Sequence, residues 1–73
     1  MIVSVTIVQQ DTQWVVLEGS IDGCPQATQR RSITAASLAA GTVLLADEKA
    51  TLIADVTAAY NNWQAVQAAL SQL

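Results

Sequence analysis

Apolar and hydroxyl residues alternate through Val3-Ser4-Val5-Thr6-Ile7, a period of two that places Val3, Val5 and Ile7 on one face of a β-strand. Gln9-Gln10-Asp11-Thr12 reads as a turn, and Gln13-Trp14-Val15-Val16-Leu17-Glu18 reads as a second strand. Two such runs joined by a short polar connection predict an antiparallel hairpin within residues 1–23. The middle of the second run is apolar on both faces, so a helix is expected over one face and a strand, a second chain or a partner over the other.

Gly19, Gly23 and Pro25 punctuate the stretch that follows, and Cys24-Pro25 disfavours helix at Cys24, which predicts an irregular connection over residues 24–41. Before it, Ser20-Ile21-Asp22 is able to extend the hairpin. Ile33 and Leu38 fit either a third short strand or a short helix stopped by Gly41, and the helix or turn is the expected form.

The longest regular pattern is a 4-3 repeat over Leu45, Lys49, Leu52, Val56, Ala59, Trp63, Val66, Leu70 and Leu73, apolar at every position except Lys49. Such a repeat predicts an amphipathic helix over residues 42–73 that packs along its length on another helix. Thr42 or Asp47 is the expected cap, with Asp47 and Glu48 suited to the positive end of the helix dipole. Asn61-Asn62 are poor helix formers, yet the repeat passes through them without a slip, which favours one continuous helix over a helical hairpin. At 1.5 Å per residue such a helix is roughly 45 Å long, whereas a compact chain of this length is only about 30 Å across. The helix is therefore expected to overhang its own domain and to seek a partner.

Composition sharpens this α+β picture of an N-terminal hairpin packed on a long C-terminal helix. Residues 1–23 hold no Ala, while the segment from residue 32 onward is rich in it, a change from strand-forming to helix-forming sequence. The 73 residues form one small domain, too short to bury a large core alone, so a homo-oligomer, dimer or trimer, is expected. A net charge of −3 is the wrong sign for a nucleic-acid ligand, and no basic region followed by a long apolar run suggests a membrane or export signal. A cytoplasmic origin is expected, with the single Cys24 reduced and inert.

The chain has no histidine, so a Ser-His-Asp or Cys-His arrangement cannot form, and no Gly-rich phosphate loop or metal-ligand spacing is present. No catalytic, cofactor or metal residue is assigned, and the chain is expected not to be an enzyme. The candidate sites are surfaces. Leu45, Leu52, Val56, Ala59, Trp63, Val66 and Leu70 are the expected helix interface, with Trp63 alternatively filling the core beneath the hairpin. Trp14 is a candidate partner contact, and Arg30-Arg31, the only concentrated positive charge, is a candidate grip for a phosphate or carboxylate.

Ala46-Asp47-Glu48-Lys49-Ala50-Thr51-Leu52, followed by Trp63-Gln64-Ala65-Val66-Gln67-Ala68-Ala69-Leu70, resembles the terminal helix of small tail and tail-fibre assembly proteins of tailed bacteriophages. The resemblance covers the last third of the chain; here the segment between the two parts is longer, and the Pro-rich ending of that family is missing. It implies a structural module that self-associates through the helix, joins a larger protein complex and is incorporated in a virion. The competing expectation is a small acidic regulator, such as a phage-encoded inhibitor of a host protein, which would gather its acidic residues on one face.

Overall fold

A computed structural model describes residues 2–73. Three strands form an antiparallel sheet in the order β1-β2-β3, with β1 at Val3–Gln10, β2 at Trp14–Ile21 and β3 at Cys24–Thr34. A short helix, α1 (Ala35–Ala40), leads into the long helix α2 (Leu45–Leu70). The α+β class and the long C-terminal helix agree with the sequence pattern, and α2 runs without a break through Asn61-Asn62.

The sheet has three strands where the sequence predicted a hairpin and an irregular connection over residues 24–41. The difference is an 11-residue strand, β3, turned back on β2 by Asp22-Gly23, with Gly23 at φ 83°. A left-handed φ there is open to glycine without a Cβ penalty. Pro25 is tolerated because β3 is an edge strand, where one side of the backbone needs no sheet partner. Residues 35–40 are the short helix expected before Gly41, whose φ of 74° ends it, and the Thr34 hydroxyl accepts from Ser37 N at its start.

Register decides what each face holds, because residues directly opposite in an antiparallel pair share a face. Val3, Val5 and Ile7 lie opposite Ile21, Gly19 and Leu17, and Val15 and Leu17 lie opposite Ile33 and Arg31. This is the face covered by α2, and its buried residues Val15, Leu17, Ile21, Cys24, Ala27 and Ile33 join Leu52 and Val56 in the core. The other face carries Ser4, Thr6, Glu18, Ser20, Arg30 and Ser32 with Trp14 and Val16, and no element covers it.

Helix α2 comes down on the sheet at Gly19. A Cβ on that residue would stand 2.8 Å from Val56 Cγ2 and 3.0 Å from Leu52 Cγ, closer than side chains tolerate. Leu52 and Val56 are fully buried as a result. The helix starts at Leu45 rather than residue 42, and neither expected cap acts: Leu44 holds the cap position without a side-chain bond, and Thr42 Oγ1 instead donates to Ser37 O. Asp47 and Glu48 do occupy the first turn, where the helix dipole favours them.

The β1–β2 turn is held by Asp11, whose Oδ1 accepts from Trp14 N at 2.7 Å and from Gln13 N at 2.8 Å, and whose Oδ2 accepts from Gln9 Nε2. The two backbone donors, Trp14 first, hold the carboxyl below its ordinary value of 3.8. A depressed folded-state value means that the turn's contribution to stability is complete above pH 3.8 and is lost as pH falls through the folded value.

Two predictions follow from this packing. Gly19→Ala should destabilise the chain by about 1–3 kcal/mol through overpacking, and by less in a Val56→Ala background, where the obstructing methyl is gone; urea unfolding of the four chains in the cycle measures both. Asp11→Ala should lower the urea midpoint at pH 7, and the deficit relative to wild type should shrink as pH falls from 3.8 through the lower folded value.

Candidate interaction surface

The expected interface residues divide into three groups along α2. Leu52 and Val56 are fully buried against Gly19 of their own sheet, so they belong to the intramolecular core and not to a seam between chains. This corrects the reading of the stripe as one continuous intermolecular surface: its spacing is right for packing, but the cover over its middle is the sheet. Ala59 and Trp63 are half-buried and pack against the same core together with Tyr60, so Trp63 takes the place beneath the sheet that was its alternative.

Leu45 is half-exposed at the other end of the stripe. It lines a shallow, open cavity of about 200 Å³ with Val5, Thr6, Ile7, Leu17 and Lys49. The cavity exists because α2 lies chiefly on β3 and less on β2 and β1, which leaves the helix-facing side of β1 partly uncovered. Ile7 is accordingly 54% exposed.

Beyond Trp63 every residue of α2 is exposed, with Val66 at 40% and Leu70 at 52%. The molecule measures 51 × 18 × 17 Å with a radius of gyration of 14.7 Å, against roughly 11 Å for a compact chain of this length. The overhang inferred from helix length is present. Its residues carry no charge: the last charged side chain is Asp55, and Val56 to Leu73 are all uncharged. Val66 and Leu70 continue the line of Leu52, Val56 and Trp63 into solvent, while Leu73, expected in the stripe, lies past the end of the helix, and Ala65, Ala68 and Ala69 keep the surface around the line low.

Trp14 is 43% exposed at the start of β2, opposite Thr34, and faces away from α2. Arg30 and Arg31 do not form one positive patch. Neighbours on a strand point to opposite faces, so Arg30 reaches Glu18 on the open face, with Nε to Oε2 at 2.8 Å. Arg31 turns to the helix face and pairs with Glu48, which raises the guanidinium pKa further above its ordinary value. Each cation thus serves an ion pair of its own chain, which corrects the expectation of a phosphate or carboxylate grip. Lys49 has no ion-pair partner among the described residues.

Cys24 is a free, buried thiol. Among the described residues no group of three His, Cys, Asp or Glu side chains is placed to hold a metal ion, and no helix is long and apolar enough to cross a membrane. No protein-family model matches the chain, and neither does any curated protein or solved structure.

The surface residues that pattern alone did not reveal are Ile7 and Val8 on β1, both exposed. Their only signal was the absence of charge and proline around them.

The division along α2 predicts opposite responses to truncation. Leu52→Ala should cost about 2–5 kcal/mol of folding stability as a core deletion. Val66→Ala, measured by chemical denaturation at the same low protein concentration, should change it by no more than about 0.5 kcal/mol.

Proposed function

We propose that this chain is a non-enzymatic structural or assembly module that self-associates through the exposed end of its C-terminal helix and offers its sheet to a larger protein complex. The observation that supports this reading is the overhang: an uncharged helical segment with Val66 and Leu70 in line and no other element among the described residues beneath it. Leaving that stripe in water forgoes about 25 cal/mol for each Å² of apolar surface, and a second apolar helix end recovers it. Two antiparallel copies of the segment suit each other: helix dipoles oppose, alanines permit close approach, and no charge needs desolvation.

The seam proposed here is narrower than the full 4-3 stripe, because Leu52 and Val56 are already covered within the chain. The phage-like character of the helix fits a virion or tail component made in the cytoplasm of the producing cell. A role as an acidic inhibitor draws less support, since Glu18 and Glu48 are each paired with an arginine and the remaining acids are spread over the two strand turns, at Asp11 and Asp22, and α2, at Asp47 and Asp55.

Light scattering over a concentration series tests the reading. Wild type should show a mass at least twice the 7.7 kDa of one chain, and Val66→Asp/Leu70→Asp should lower that mass wherever wild type is associated and reach a folded monomer at the dilute end of the series, because a charge in a packed seam costs several kcal/mol. A wild-type monomer at every concentration, or a double variant that keeps the wild-type mass, overturns the assignment.

A further inference from the structure

The two edges of the sheet are unequal. On β3 the edge carries the devices that discourage strand addition: Pro25, the charged Arg30 and Arg31, and α1 folded back beside it. On β1 the one such device is an irregularity near its end. Val3–Gln10 has no charge, proline or glycine, and its pairing with β2 is regular from Val3↔Ile21 to Ile7↔Leu17, with the single irregularity only between Ile7 and Gln9. A long, regular, β-branched and uncharged edge is a template for another strand.

We infer that β1 is a second interaction surface, and that its occupant is β1 of another copy of this chain, paired antiparallel about a two-fold axis at Val5 to make a six-stranded sheet. Three observations select that occupant. Val3-Ser4-Val5-Thr6-Ile7 presents the same apolar–hydroxyl order in both directions, so antiparallel self-pairing sets Val3 opposite Ile7, Ser4 opposite Thr6 and Val5 opposite Val5. The strand has no charge, so nothing repels its own copy across the axis, whereas a charged edge would disfavour itself. The helix-facing side of β1 is also only partly covered by its own chain: Val5 and Ile7 line the open cavity beside Leu45. The same two-fold brings the cavities of both copies together over the new strand pair and continues the apolar layer across it. This contact does not depend on the helix overhang, which lies at the other end of α2.

The test is made in the Val66→Asp/Leu70→Asp chain, where helix-end association is silenced. Light scattering should show a concentration-dependent dimer, and amide exchange at Val3 to Ile7 should slow at least about tenfold between the monomeric and dimeric ranges. Adding Ser4→Lys/Thr6→Lys sets lysines opposite one another across the axis and should weaken the dimer at least about tenfold. Within one chain those positions lie opposite Ser20 and Glu18 and are exposed, so the fold should persist by circular dichroism. Mixing this variant with a Ser4→Glu chain in the same background should restore the dimer as a heterodimer. A monomer up to about 1 mM with concentration-independent exchange in β1 overturns the inference, as does a dimer indifferent to the lysines; neither result bears on association through the helix end.

Discussion

The approach of α2 to β2 at Gly19 is the constraint on which the rest of the structure depends. A residue without a side chain lets Leu52 and Val56 sink onto the strand until both are fully buried, and Ala27 and Cys24 on β3 keep the neighbouring surface low. Both helix residues are then committed to their own sheet. With that crossing set, Leu45 falls over the β1 side and Glu48 beside Arg31, and Trp63 is the last residue of the line to reach the core. The overhang follows from the same crossing: a helix of 26 residues is about 39 Å long, and the sheet that meets it at Leu52 and Val56 reaches no further than Trp63, past which every residue is exposed.

One helix on one sheet leaves the second sheet face without a layer, and the sequence of that face is adapted to water. Ser4, Thr6, Ser20 and Ser32 supply hydroxyls, and Glu18 and Arg30 form an ion pair across two strands, so the apolar exceptions are Trp14, Val16 and the end of β1. Exposed pairs of this kind contribute little stability. Their effect is on specificity: they mark which face of β2 stays wet while Val15, Leu17 and Ile21 go under the helix. The sheet thereby has a single packed face in spite of the apolar run Trp14-Val15-Val16-Leu17.

Long-range periodicity was legible in the sequence where it rested on side-chain size and not where it rested on backbone. The 4-3 repeat through Asn61-Asn62 gave a continuous helix, and the alternation in Val3 to Ile7 gave the first strand. Strand β3 was hidden because its packed positions include Cys24, Ala27 and Arg31, which do not read as a hydrophobic alternation, and because Pro25 suggested a break. Asp22-Gly23, a strong hairpin signal between two β-forming runs, was the cue that pointed the other way. Gly19 read as punctuation, since a glycine needed for close approach is indistinguishable in sequence from one needed for a turn. The helix stripe gave residues that pack, but spacing cannot say whether a sheet, a helix or another chain covers them. That is why Leu52 and Val56 moved from the candidate interface to the core while Val66 and Leu70 stayed exposed.

The two proposed surfaces differ in kind, and their combination has a geometric consequence. Each is isologous, since the helix end meets another helix end and β1 meets another β1, and each closes on its own two-fold axis. A chain with one such surface stops at a dimer. With two on separate parts of the molecule, every dimer formed through one surface still presents the other at both ends, so assembly propagates unless the two axes intersect and close a ring. The elongated shape, 51 Å along the helix against 18 and 17 Å across, keeps the two surfaces from obstructing each other. A short chain with little core of its own can in this way gain from neighbours the burial that its length denies it, and a repeating scaffold is the kind of object that such a chain is suited to build.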